Sequence, residues 1–106
     1  MILIDSIYIH NGGGKNILNN LCDKIQELGL DNDFFLLLDS RYTDEVKFKN
    51  YIQIDPYEIN RLKFYRKNKH TFHRFICLAN VPPPVKIDKK VAVSYTHLRA
   101  HETVRN

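Results

Sequence analysis

Three consecutive glycines, Gly12–Gly14, separate an apolar segment from an amphipathic one, and this order restricts the folds open to the chain. Residues 2–9 (ILIDSIYI) are mostly β-branched or aromatic, which predicts a buried parallel strand. After the glycines, one face of a helix would carry Ile17, Leu18, Leu21, Ile25 and Leu28. The pattern therefore predicts a strand, a glycine-rich loop over residues 10–14 and a helix that ends at Gly29 in a left-handed cap.

Further apolar segments continue this alternation of strand and helix. Residues 34–38 (FFLLL) and 75–79 (FICLA) predict buried strands, and shorter strands are predicted at 51–54 and 89–93. A second helix is predicted before residue 75. At 106 residues the chain has room for one domain. Alternating strands and helices predict an α/β domain with an open parallel sheet and flanking helices, which is a Rossmann-like architecture.

The second helix is predicted to begin at Asp55, with Glu58 completing a capping box, and to run to about residue 72. No acidic residue occurs between Ile59 and Ile87, whereas seven basic ones do: Arg61, Lys63, Arg66, Lys67, Lys69, Arg74 and Lys86. This pattern is typical of a solvated helix face. It also suits peripheral contact with anionic membrane lipids, at about 1 kcal/mol for each basic side chain near the surface. Nucleic acid is not favoured as a partner, because the spacing matches no known binding module.

Composition excludes several classes of protein. No apolar run reaches the roughly 18 residues of a membrane helix. The first residues lack a basic leader and a cleavage site, so a secretory signal is not expected. Cys22 and Cys77 lie in apolar periodic segments, which favours buried free thiols in a reducing cytosol over a disulfide. A cytoplasmic protein is therefore expected.

A glycine-rich turn between the first strand and the first helix is where open parallel sheets bind ligands, because the helix start presents free N–H groups to an anion. Two common phosphate motifs are excluded. A P-loop needs Gly at position 9 and Ser or Thr at position 16, where the chain has Ile9 and Asn16. The dinucleotide fingerprint needs a third Gly where the chain has Ile17. A phosphate contact of another kind and a simple flexible turn both stay open.

The candidate residues for binding phosphate or substrate lie in or beside this turn: His10, Gly12, Gly13, Gly14 and Lys15. His10 is either a loop residue or a substrate contact. Asp39 ends the second strand, where a turn cap is favoured over a contact with a ribose or acceptor hydroxyl. His70 and His73 are three residues apart without nearby acidic residues or cysteines, so no metal site is predicted. No catalytic residue is assigned.

Four ordered segments, MILIDSIYIHNGGGK, LLLDSR, NRLKFYRKNK and CLANVPPPVK, resemble the start of bacterial glycosyltransferases of the GT-B type that build surface polysaccharides. The resemblance covers residues 1–92. It implies retaining transfer of a sugar from a nucleotide-sugar donor to a saccharide or lipid-linked acceptor, with the donor as substrate and no cofactor. It also implies that Gly12, Gly13 and Gly14 approach the donor phosphates, with Lys15 beside them.

In that family a second domain with paired glutamates binds the donor, and this sequence has no counterpart of it. The resemblance therefore implies an acceptor-side half-domain that is inactive by itself. Two alternatives stay open: a small nucleotide- or phosphate-binding α/β module without transfer activity, and an interaction protein whose basic helix docks on anionic membranes.

Residues 93–106 (VSYTHLRAHETVRN) differ in composition from the rest, since they contain no Ile and no Lys. Residues 93–103 are identical to a one-frame translation of a common transposase-type sequencing adapter, and Ala92 suits the bases that precede it. We therefore expect residues 93–106 to be a non-native tail, so its histidines and arginines are not read as a site. The Rossmann-like domain is then truncated after residue 92, which predicts an exposed apolar sheet edge and poor solubility.

Overall fold

Parallel strands and helices alternate along the part of the chain that the structure describes. The computed structural model describes residues 1–68, 70–79, 83–85 and 92–95. In chain order the elements are β1 (Ile2–Ser6), α1 (Gly12–Glu27), a 3-10 turn (Asp31–Asp33), β2 (Phe34–Asp39), β3 (Tyr51–Ile54), α2 (Glu58–Lys67), β4 (Arg74–Cys77) and β5 (Ala92–Tyr95).

The described strands form one parallel sheet in the order β3-β2-β1-β4-β5. β1 lies in the middle, where Ile4 is in register with Leu36 of β2 and Ile76 of β4. Since both edges of β1 are hydrogen-bonded and both faces are covered, its nearly continuous apolar run is what a central parallel strand requires. The predicted α/β class with an open, Rossmann-like parallel sheet is confirmed.

Each face of the sheet packs against one helix, because successive residues of a strand point to opposite faces. The cluster on the α1 face includes Ile4, Leu18, Ile25, Leu36 and Leu38. The cluster on the α2 face includes Leu3, Leu37, Tyr65, Phe72 and Phe75. The two helices therefore cover opposite faces of the sheet. Because the described strands are all parallel, their carboxyl ends lie at the same edge.

The first helix begins earlier than predicted, since Gly12–Gly14 are its first turn and not a loop. Its end is as predicted. Gly29 has a φ of 71°, its amide donates to Gln26 O, and the Leu30 amide donates to Ile25 O. This pair of bonds is the Schellman motif, in which glycine accepts the left-handed conformation without strain. Leu28 lies beyond the last helical residue and is 59% exposed, so its assignment to the apolar face was wrong.

The second helix is shorter at both ends than predicted. Its N-cap is Tyr57 and not Asp55, and the predicted capping box is absent. Glu58 instead binds Arg61, three residues further along the same helix, and Tyr8, 50 residues earlier in the chain. The helix ends at Lys67, where the side-chain amide of Asn68 donates to the carbonyl of Phe64 at 2.9 Å.

The last described strand, β5, covers Ala92–Tyr95 and pairs in parallel with β4. Of the predicted strand at 89–93, Ala92 and Val93 are in β5, whereas residues 89–91 lie outside the described part of the chain. β5 continues across the expected junction at residue 92 into the sequence that matches the adapter. The rest of that tail, residues 96–106, lies outside the described part as well.

Candidate functional site

The sheet has a topological switch point between β1 and β4. These two strands are neighbours, but the chain leaves β1 through α1 toward β2 and reaches β4 only after α2. Open α/β sheets bind ligands in the crevice outside the carboxyl ends of two such strands. The glycine turn, Gly12–Gly14 in the first turn of α1, is separated from β1 only by residues 7–11 and therefore lies at this crevice. Part of the loop after β4, residues 80–82, is outside the described residues.

The glycine turn presents an uncapped helix start. Asn11 is extended, its side chain makes no capping bond, and the first turn of α1 carries no acidic residue. Gly12 has a φ of 65°, which disfavours other residues there. At Gly13 an added Cβ would meet nothing within 4 Å, so packing does not require glycine at that position. The exposed N–H groups and the open space together can accept an anion close to the backbone.

Two other predicted site residues flank this turn. Lys15 is already paired, because its Nζ lies 3.1 Å from the Asp44 carboxylate in the loop after β2. His10 is partly buried between the end of β1 and Asn11. The structure thus groups His10 with Gly12 and Gly13 along one turn, while Lys15 is engaged in an exposed ion pair.

Tyr8 joins β1 to the glycine turn in an unusual conformation, with a φ of 79°. This backbone angle ends β1 at Ser6, so the strand is shorter than the predicted residues 2–9. The Tyr8 amide donates to Asp39 Oδ2 at 2.8 Å, and its hydroxyl donates to Glu58 Oε2 at 2.5 Å. Burial and the bond to Glu58 raise the pKa of Tyr8 to about 12, so the hydroxyl stays protonated and remains a donor at neutral pH.

Asp39 is fully buried at the carboxyl end of β2. Its carboxylate accepts the Tyr8 amide, the Arg41 amide at 2.9 Å, and two guanidinium N–H groups of Arg41 at 2.9 and 2.7 Å. Burial raises the pKa of Asp39, but the bonds from Arg41 and Tyr8 outweigh burial and hold it below the usual value. Asp39 therefore caps the turn that follows β2, as predicted. From β2 it also holds the Tyr8 amide in the segment that leads to the glycine turn.

A buried ion pair that no sequence pattern predicted connects β1 to α2. Asp5 Oδ2 lies 2.8 Å from Arg61 Nη2 and also accepts bonds from Arg61 Nε and from the hydroxyl of Tyr65. Arg61 is 1% exposed, so its assignment to a basic surface was wrong. Burial lowers the pKa of Arg61, but the Asp5 charge outweighs this and raises it. The available signal was a lone Asp in an otherwise apolar strand, since such a charge requires a partner.

Of the remaining predicted basic residues, three are exposed on α2, and Arg74 is exposed on β4. Lys63, Arg66 and Lys67 are exposed on α2, whereas Lys69 and Lys86 lie outside the described residues. The predicted pair of histidines is not on a helix, because α2 ends before it. His73 instead places Nδ1 2.8 Å from the amino group of Met1. Among the described residues, no group of three or more His, Cys, Asp or Glu side chains could hold a metal ion.

The predicted free thiols are present and shielded. Cys77 is buried, Cys22 is partly buried, and neither forms a disulfide. Burial raises the pKa of each to about 11, with Asp23 adding to the effect at Cys22 and Asp5 at Cys77. Since the thiolate is the reactive form, neither cysteine is suited to nucleophilic chemistry at neutral pH.

A cavity of about 250 Å³ lies between α1 and the loop after β2, and a more open groove of about 440 Å³ lies between β3 and α2. The cavity is lined by carboxylates, among them Asp23, Asp44 and Glu45, which suit an anionic ligand poorly. The groove carries Lys63 and Lys67 around Phe64 but is separate from the glycine turn. The turn therefore remains the candidate site on chemical grounds.

Comparisons with protein-family models, with curated proteins and with solved structures found no match to this chain. Neither helix in the described part of the chain is long and apolar enough for a membrane crossing.

Proposed function

We propose that residues 1–92 form the acceptor-side half-domain of a cytoplasmic GT-B type glycosyltransferase, and that this half-domain is inactive by itself. The full enzyme would move a sugar from a nucleotide-sugar donor to a saccharide or lipid-linked acceptor. The observation that carries the proposal is the position of the glycine turn, which lies at the carboxyl edge of β1 beside the topological switch point. The ordered sequence resemblance to such enzymes supports the same assignment.

The chemistry of the turn suits a donor diphosphate. The start of α1 has no acidic residue in its first turn, and the space before Gly13 is open. A helix start contributes only about 0.3–1 kcal/mol to the binding of an exposed anion. This is enough to orient phosphates but too little to hold a nucleotide sugar, so in the proposal most of the affinity for the donor comes from a second domain.

Substituting Gly13 tests the role of the turn directly. Gly13→Ala is expected to raise the free energy of unfolding by up to about 1 kcal/mol, because alanine is the better helix former. It is also expected to weaken pyrophosphate binding about two- to fivefold, since the methyl group would fill the space beside the backbone and remove the contribution of the helix start. Amide NMR shifts of Gly12, Gly13 and Gly14 during a pyrophosphate titration measure the binding.

Asn16→Ala is the matched control, because Asn16 is exposed one turn further along the same helix. This variant should gain a similar stability and leave the titration unchanged. A pyrophosphate affinity that is equal in wild type and Gly13→Ala would contradict a phosphate site at the turn.

The alternative is a small nucleotide- or phosphate-binding module without transfer activity. This alternative is favoured because the chain itself supplies every part of the candidate site. These parts are the glycine turn, the open space beside Gly13, and the Asp39 carboxylate that binds the Tyr8 amide before the turn. A UDP titration followed by calorimetry separates the two proposals. The half-domain is expected to show no saturable UDP binding below the millimolar range, whereas micromolar binding by residues 1–106 alone would favour the module.

A further inference from the structure

We propose that Glu58 is a positioning residue that holds the glycine turn in its binding conformation by way of Tyr8. This inference deepens the proposed function and rests on it for its ligand, a phosphate-bearing donor. It concerns a side chain of α2 that lies 50 residues from Tyr8 in the sequence and belongs to no predicted site.

Tyr8 is held both by its own turn, which the Ile9 amide closes by donating to Ser6 O, and by contacts from other elements. A non-glycine residue at a φ of 79° is strained and persists only where its surroundings fix it. Two contacts do so from opposite ends of the residue: the buried Asp39 carboxylate accepts its amide, and Glu58 accepts its hydroxyl. Tyr8 lies three positions before Asn11, the N-cap of α1, so its conformation determines where the first turn of that helix begins.

Glu58 is itself held in place. Arg61 Nη1 lies 3.1 Å from Glu58 Oε1, while the same guanidinium binds Asp5 in β1 at 2.8 Å. Side-chain contacts thus connect Asp5 to Arg61, Arg61 to Glu58 and Glu58 to Tyr8. Tyr8 lies only three residues after Asp5 in the sequence. These contacts tie the start of α2 to the segment between β1 and the glycine turn.

The exposure of Glu58 argues for a role other than general stability. Its side chain is 58% exposed, whereas that of Arg61 is 1% exposed. Because the Glu58 carboxylate is largely solvated, its bonds to Arg61 and Tyr8 are expected to contribute little to folding. A hydrogen bond to Tyr8 can nevertheless restrict the local opening of the turn, because opening then requires that bond to break.

Hydrogen–deuterium exchange at the hydrogen-bonded amides on either side of the glycines, those of Tyr8, Ile9 and Lys15, tests the proposal in the intact chain. Tyr8→Phe and Glu58→Ala each remove one partner of the bond, and each is expected to speed exchange at the turn about three- to tenfold. The double variant should exchange no faster than either single variant, because both changes remove the same interaction. Tyr57→Phe, at an exposed ring, and Glu27→Ala, at an exposed ion pair, are the matched controls and should leave the turn unchanged.

Pyrophosphate supplies the second readout. If the proposal holds, Tyr8→Phe and Glu58→Ala weaken the pyrophosphate-induced shifts of Gly12–Gly14 while the melting temperature stays close to that of wild type. Unchanged exchange in both variants, additive effects in the double variant, or faster exchange with undiminished pyrophosphate binding would each overturn it. A wild-type chain that binds no pyrophosphate would instead overturn the phosphate role of the turn, and exchange alone would then decide whether Glu58 holds the turn.

Discussion

Asp5→Ala is expected to lower the free energy of unfolding by about 3–5 kcal/mol, the largest effect of any single substitution considered for this chain. The change removes the carboxylate that lies 2.8 Å from Arg61, whose side chain is 1% exposed. It also removes the acceptor of the Tyr65 hydroxyl bond. The buried guanidinium then keeps its desolvation penalty without its main anionic partner. Urea unfolding followed by circular dichroism measures the loss.

Arg66→Ala is the control for this prediction, because Arg66 is an exposed basic residue of the same helix and should change stability by less than about 0.5 kcal/mol. If Asp5→Ala does not fold, the combination Asp5→Leu with Arg61→Met provides a second test. Replacing both charges of a buried pair by apolar side chains is often nearly neutral, so the double variant should recover a cooperative transition. An Asp5→Ala stability within about 1 kcal/mol of wild type would contradict the buried pair.

Asp39→Asn is expected to lower the free energy of unfolding by about 2–3 kcal/mol at pH 7, because it weakens charge-assisted bonds to Arg41 and to the Tyr8 amide in a buried site. Its effect should depend on pH. The pKa of Asp39 is lowered in the folded state, so the unfolded chain takes up this proton first as the pH falls. The stability that Asp39 contributes is therefore present above about pH 4 and is lost as the pH falls through the folded pKa.

Urea unfolding at pH 7 and at pH 3 measures this dependence. Wild type should lose more stability between the two pH values than Asp39→Asn does. Asp44→Asn is the matched control, since that carboxylate is 41% exposed and pairs only at the surface with Lys15. A difference between pH 7 and pH 3 that is equal in wild type and Asp39→Asn would show that Asp39 does not titrate with a lowered pKa.

The fold could be predicted from the sequence because its main signals are local. The apolar runs of β1 and β2 and the Schellman end at Gly29 each depend on a few adjacent residues. The boundaries of α2 could not be predicted in this way, because the Glu58 carboxylate could bind either the backbone at the helix start or other side chains. The sequence favours a capping bond for Glu58, whereas in the structure its carboxylate binds Arg61 in the same helix and Tyr8, which lies 50 residues away in the sequence.

The candidate site was predictable only in part for the same reason. The glycine turn is visible in the sequence, and so is the expectation that Asp39 caps a turn. Its supports are not visible, because Asp39 and Tyr8 are 31 residues apart and Arg61 and Asp5 are 56 apart. Arg61 also sits among exposed basic residues, and its sequence neighbours do not distinguish it from them.

The measurement that tests the central claim most directly is to amplify and resequence the source DNA across codon 92. The glycosyltransferase proposal predicts an open frame that departs from the adapter-like sequence and continues for one further domain of roughly 100–200 residues with two spaced glutamates. DNA that encodes residues 93–106 as printed and then stops would contradict the proposal, and the small phosphate-binding module would then be the better account of the glycine turn.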